Sequence, residues 1–210
     1  QGVDSIFDVD TVKFIRDAVC DMAGVSYMTG NHKVDVSVRI ITDHLRSMTF
    51  MIGDGILPSN EGRGYILKRI IRRAARHCKL LGITQQNPLV ELAESVVKTS
   101  GGAYPELVEN HDYIMKIIKI EEDNFAKTLD RGMEILDGYM EEMDASGSTV
   151  LDGELAFKLY DTYGFPLEVT QEILEEKGKT VDVDGFTEKM NAQKELARAN
   201  QRDAEGDAWR

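Results

Sequence analysis

Apolar residues recur along this chain at steps of three and four, and no train of alternating strands interrupts them, so the pattern predicts an all-α protein. A first helix is expected from about Asp10 to Met22, capped by Asp8 or Asp10, with Val12, Ile15, Val19 and Met22 facing inward and Gly24 ending it. A second runs from about Val34 to Ile52, places Val38, Ile41, Leu45, Met48 and Ile52 on one side, and stops at Gly53-Asp54-Gly55. A third spans roughly Gly64 to Leu81. A fourth follows Pro88, a residue suited to a first helical turn, and reaches Gly101-Gly102. From Pro105 to about Met143 the apolar positions, among them Leu107, Ile114, Ile118, Phe125, Leu129, Leu136 and Met140, predict one long helix whose weakest point is Gly132.

Ser146-Gly147-Ser148 is the best interior linker, a cluster of small residues between periodic segments. It divides the chain into a helical domain, 1–147, and a C-terminal helical subdomain of the same module, 148–210. In the second part Asp152 is expected to cap a short helix through Tyr160, and Tyr163-Gly164-Phe165-Pro166 forms a break. Pro166 opens another helix that Gly178 ends, residues 180–183 make one extended piece, and Asp184 caps a last helix to roughly Arg202.

Charge changes the picture at the third helix. The chain carries a net charge of −12, which argues against indiscriminate nucleic-acid binding, since that needs a positive surface facing phosphate. Residues 61–79 nevertheless hold seven Lys and Arg against Glu61 alone, a net +6, so the rest of the chain carries −18. At about 100° per residue, Lys68, Lys79, Arg72, Arg76, Arg69 and Arg73 share one face, and Ile66, Leu67, Ile70, Ile71, Ala74, Ala75, Cys78 and Leu81 fill the other. The expectation is a helix half core and half cation. Such a row of arginines suits planar contact with phosphate, and its bland counterpart is a solvated surface paired with acidic neighbours.

Other chemistry is thin. Cys20 and Cys78 are too few and too far apart for a disulfide framework, and with His44 and His77 they lack metal-ligand spacing. A reducing, cytoplasmic setting is expected. No apolar run approaches the length of a membrane span, and QGVDSIFDVD has neither an initiator Met nor a signal-peptide pattern, which suggests a cut inside a longer protein. Gly62-Arg63-Gly64 lacks the spacing and the Lys-Ser/Thr ending of a phosphate loop. In Asp182-Val183-Asp184-Gly185 the glycine comes too early for a calcium loop, so a helix cap is the better reading. The loop Leu57–Tyr65 reads, on its own, as a capped helix start with Ser59 or Asn60 as the cap.

The runs Thr42-Asp43-His44-Leu45-Arg46-Ser47, Asp54-Gly55-Ile56-Leu57-Pro58-Ser59-Asn60-Glu61-Gly62-Arg63-Gly64-Tyr65 and Arg69-Ile70-Ile71-Arg72-Arg73 closely resemble bacterial-type alanyl-tRNA synthetases. The likeness continues through Glu121-Glu122-Asp123-Asn124-Phe125-Ala126-Lys127-Thr128-Leu129 and Leu159-Tyr160-Asp161-Thr162-Tyr163-Gly164-Phe165-Pro166, covering essentially the whole chain.

The resemblance implies a helical tRNA-recognition module that follows a class II catalytic domain and holds the acceptor stem of tRNA(Ala), whose identity signal is a G·U pair. By similarity, Asn60 and Asp161 match the residues that contact this pair, while Arg63, Lys68, Arg69, Arg72, Arg73 and Arg76 would grip phosphates and position the stem. The same resemblance implies a parent alanine–tRNA ligase that uses ATP and Mg, with Zn in an editing domain. None of the motifs for those groups falls within these 210 residues, so the chain is expected to hold no cofactor, metal or catalytic residue and to be inactive alone. Its expected partners are the acceptor stem and the parent's catalytic domain. A reading of another class remains: a structural or protein-interaction helical module with a basic face.

Overall fold

The computed structural model describes residues 2–3 and 5–207, which fold into ten α-helices, one 3₁₀ turn and two very short strands. An all-α protein is what the hydrophobic spacing predicts. The chain forms two compact units, Gln1–Lys127 and Thr128–Arg210.

In the first unit the 3₁₀ turn Ile6–Asp8 leads into α1 (Asp10–Ala23), α2 (His32–Gly53), α3 (Gly62–Leu80), α4 (Pro88–Ser100), α5 (Pro105–Glu109) and α6 (His111–Ala126). Helix α2 lies at the centre, packed by α1, α3, α4 and α6. Its stripe Val38, Ile41, Leu45, Met48 and Ile52 is buried against Ile15 and Val19 of α1, Leu67, Ile71 and Ala74 of α3, and Leu89 and Val96 of α4. Asn31 opens α2 by accepting a hydrogen bond from the Val34 amide, and Gly24 closes α1 in the left-handed conformation that glycine adopts without strain. At the start of α1 the cap is Val9, with no side-chain bond. Asp8, one of the two expected caps, instead accepts from the Arg16 guanidinium at 2.7 Å, and Asp10 lies in the first turn.

The expected long helix from Pro105 is three helices. Asn110 ends α5, and Lys127 and Thr128 separate α6 from α7 (Leu129–Ser146), so the breaks do not fall at Gly132. Apolar spacing runs on across both interruptions because each helix turns an apolar stripe inward, and periodicity alone cannot see the seams. Gly132 lies buried inside α7, where a Cβ would sit 2.4 Å from Cε1 of Phe165. Its lack of a side chain admits the ring and does not break the helix.

The second unit begins with α7 and continues through β1 (Val150–Leu151), α8 (Gly153–Tyr163), α9 (Leu167–Glu175), β2 (Thr180–Val181) and α10 (Val183–Asp207). Its boundary lies upstream of Ser146-Gly147-Ser148, because α7 packs on α8 and β1. Gly147 ends α7 in the left-handed conformation. The strands pair in parallel, Val150 with Thr180 and Leu151 with Val181, so the extended piece expected at 180–183 is shorter than read and has a partner the spacing did not announce. Asp152 caps α8 by accepting from the Glu154 amide at 2.8 Å. Asp182, and not Asp184, caps α10, accepting from the Gly185 amide at 3.0 Å. Phe165, Leu136, Leu159, Val169 and Leu174 form the buried centre of this unit.

Candidate nucleic-acid interface

The loop into α3 is built around one glycine. The Ser59 amide donates to the Gly64 carbonyl at 3.1 Å, and the Ser59 hydroxyl donates to the Glu61 carbonyl at 3.0 Å. A Cβ on Gly64 would stand 2.1 Å from the Ser59 hydroxyl oxygen and 2.5 Å from the Leu57 carbonyl oxygen, so this close turn requires glycine there. The residue at the helix N-cap is Glu61, whose side chain makes no capping bond, so neither Ser59 nor Asn60 does the capping that the loop composition suggests. Asn60 is exposed and its Oδ1 accepts from Lys68 Nζ at 3.0 Å. The fold thus joins two of the sequence-predicted site residues. Burial pushes the Lys68 ammonium pKa below its ordinary value, and the neighbouring Arg72 charge pushes it further the same way.

Helix α3 departs from the half-cation picture. Arg72 and Arg76, expected on the outward face, are buried at 7% and 3% exposure. Arg72 Nε donates to Glu121 Oε1 at 2.7 Å, and its guanidinium lies 5.1 Å from the Phe125 ring centroid. The cause is packing: α2 and α6 both lie against α3 and cover much of its circumference, including part of the arc assigned to solvent. His77 is buried too, with Nδ1 at 2.9 Å from the Ser37 hydroxyl. Arg63 and Lys79 remain exposed, Lys68, Arg69 and Arg73 are half-buried, and Ile66, assigned to the apolar side, is exposed.

One residue here was not singled out by spacing. Arg73 Nη1 donates to His44 Nε2 at 3.2 Å, and since a guanidinium can only donate, the His44 proton sits on Nδ1 and is given to Asp43 Oδ2 at 3.0 Å. Burial holds the His44 pKa below its ordinary value. The chain Asp43–His44–Arg73 therefore holds a neutral imidazole and braces a half-buried arginine beside the outer cations. The only signal for it was the adjacency of Asp43 and His44 in the first matched run.

Asp161 belongs to the second unit. It lies exposed in the last turns of α8, before Gly164 ends that helix in the left-handed conformation, and its Oδ1 accepts from Gln193 Nε2 of α10 at 2.7 Å. A carboxylate has lone pairs for further donors.

A family profile described as tRNA synthetases class II (A) matches residues 1–208. The chain belongs to this family. Among its relatives, the alanine–tRNA ligase of Clostridioides difficile (strain 630) is 53% identical over all 210 residues, and that of Alkaliphilus metalliredigens (strain QYMF) is 54% identical over the same length. Alanine–tRNA ligase 1 of Lachnoclostridium phytofermentans is 55% identical over 199 residues, 95% of this chain. The chain spans about a quarter of the length of these relatives, 24% of the first.

In this class II synthetase chain, the run Glu121-Glu122-Asp123 that helped to carry the resemblance has a structural use. Glu121 neutralises Arg72, Glu122 accepts from the Leu89 amide at 2.9 Å at the start of α4, and Asp123 accepts from Asn87 at 2.7 Å and from Lys119 at 2.7 Å. Among the described residues no group of three or more His, Cys, Asp or Glu side chains could hold a metal ion, and no helix is long and apolar enough to cross a membrane.

Proposed function

We propose that this chain docks the acceptor stem of tRNA(Ala) and reads its G·U pair, as the tRNA-recognition part of a cytoplasmic alanine–tRNA ligase whose catalytic domain attaches alanine at the expense of ATP. The observation that carries the reading is the hold on Asn60: an exposed carboxamide, free of capping duty, placed just ahead of a basic helix by a turn that only Gly64 permits and held there by Lys68. An A-form stem shows its base edges in a wide, shallow minor groove, where short polar side chains reach them. In a wobble pair the guanine 2-amino group lacks its Watson–Crick partner, and a carboxylate such as Asp161 can accept its hydrogen. Arg63, Lys68, Arg69 and Arg73 position the stem through phosphate. Arg72 and Arg76, being buried, support α3 from within.

The test is equilibrium binding of this chain to a short acceptor-stem helix carrying G·U, beside a G·C version. Preference for G·U is expected, and Asp161→Ala or Asn60→Ala should each remove about 1–3 kcal/mol of it. Equal binding to both stems, unmoved by either substitution, would leave a module that grips phosphate alone, or one whose basic face meets protein.

A further inference from the structure

Asp161 lies exposed on α8, and an exposed aspartate changes rotamer freely unless another side chain holds it. Gln193 of α10 supplies that hold: its Nε2 donates to Asp161 Oδ1 at 2.7 Å. We propose that Gln193 is a positioning residue for Asp161, which takes Oδ1, fixes the carboxylate in one orientation and leaves Oδ2 to accept from the amino group of the guanine in the G·U pair.

This rests on the reading of Asp161 as a base-contacting residue and names the side chain that sets it. A hold from another helix needs the two helices fixed first, and they are. Gly153, at the start of α8, lies so close to α10 that a Cβ there would stand 2.3 Å from the Phe186 amide nitrogen and 2.6 Å from the Asp182 carbonyl oxygen. Phe186 in turn packs on Phe157 and Tyr160 of α8, with ring centroids 6.0 and 5.7 Å apart, the second pair edge to face. Gln193 follows Phe186 by seven residues and so lies on the same side of α10, and Asp161 follows Phe157 by four on the same side of α8. The crossing is thus secured by packed rings and a close backbone approach, to which one exposed hydrogen bond adds little stability. Orientation is what it adds. Glutamine suits that task because its amide is neutral: a lysine or arginine would hold Asp161 as firmly, but its charge would compete for the lone pairs that the guanine amino group needs. A neutral donor leaves the full carboxylate charge to the base.

Substitutions in this chain, each measured for binding to G·U and G·C stems, test the assignment. Gln193→Met keeps the length of the side chain and removes the donor, so the preference for G·U should fall about three- to tenfold, the worth of one hydrogen bond. Gln193→Glu, of the same shape, has no donor when ionised and repels Asp161; it should lower the preference at least as far. A loss of folded protein weakens both stems alike, so the ratio reports the site even where a variant is less stable. The deciding comparison repeats Gln193→Met in an Asp161→Ala background. A residue that acts through Asp161 should there leave the ratio unmoved. If Gln193→Met lowers the ratio as much without Asp161 as with it, Gln193 touches the stem itself and the proposal is overturned. If Gln193→Met leaves the parent's ratio intact, whether or not it weakens both stems, Asp161 needs no hold and the proposal is likewise overturned. The unsubstituted chain separates the two levels: no G·U preference there sinks the proposed function and this inference with it, whereas a preference lost in Asp161→Ala but indifferent to Gln193→Met sinks the inference alone.

Discussion

Helix α3 uses the same side chain in opposite ways on two of its sides. Toward α6, Arg72 is sealed between Glu121 and Phe125 and Arg76 is buried beside it; away from the core, Arg63 is exposed and Arg73 is half-buried against His44. In helical projection Arg72 and Arg73 belong to one basic arc, about 100° apart within it. What separates them is the far-off acid that α6 supplies, Glu121, which turns one arginine into a core element and leaves the other to the surface. A charge pattern on one helix thus reports where cations can go. It does not report which of them the rest of the fold will neutralise.

The largest effect should come from breaking the inner pair. Arg72→Met leaves the Glu121 carboxylate buried with its guanidinium gone, a change of the kind that costs about 3–5 kcal/mol. Glu121→Leu combined with Arg72→Met removes both charges and should recover most of that loss, since an apolar pair avoids the desolvation of two ions. Denaturant unfolding of the single and double variants reads both. A single-variant loss within about 0.5 kcal/mol, the range typical of surface sites, would place Arg72 among the outer cations and collapse the contrast.

Glu122, adjacent to Glu121, sharpens the inner side further. Burial raises its pKa to about 7 from an ordinary 4.5, against the opposing pull of hydrogen bonds from Leu89, Val90 and Asn87. A carboxyl whose folded pKa lies above its unfolded value binds its proton more tightly in the native state. Its stabilising contribution is therefore complete below the unfolded pKa and is lost as pH rises through about 7. Glu122→Gln keeps an acceptor for the Leu89 amide and cannot ionise. It should flatten the fall in stability between pH 4.5 and 7 and leave the variant more stable than the parent at pH 8 by about 1–3 kcal/mol, measured by unfolding across that range. An unchanged pH slope would show that Glu122 stays ionised in the fold.

These residues also show how much could be read in advance. The all-α class, the core stripe of α2 and the stop at Gly24 followed from spacing and from the conformations glycine permits. The seams at Asn110 and Thr128 did not, because an apolar stripe can continue in phase from one helix to the next while the backbone breaks. Asn60 and Asp161 came to notice by likeness to a family, and nothing in their local composition separates them from a cap and a helix-end acid. The pairing of Lys68 with Asn60 needed the turn at Gly64, a backbone approach that no periodicity encodes. Burial of Arg72 needed a partner 49 residues away.

The smallest expected change in stability belongs to the outer side, and it carries the comparison through to function. Arg63 is exposed beside the Asn60 loop, so Arg63→Ala should alter unfolding free energy by no more than about 0.5 kcal/mol. If Arg63 meets a phosphate, the same substitution should weaken binding of G·U and G·C stems alike and make the slope of log K against log salt shallower by about 1, since one fewer counterion is released. Titrations of the parent and the variant across a range of salt concentrations give both numbers. A change in the G·U to G·C ratio, with the slope unaltered, would move Arg63 from the phosphate contacts to the base-reading group with Asn60. An effect on neither would leave its charge to solvent, and the outer arginines would then differ from Arg72 in exposure without sharing a task.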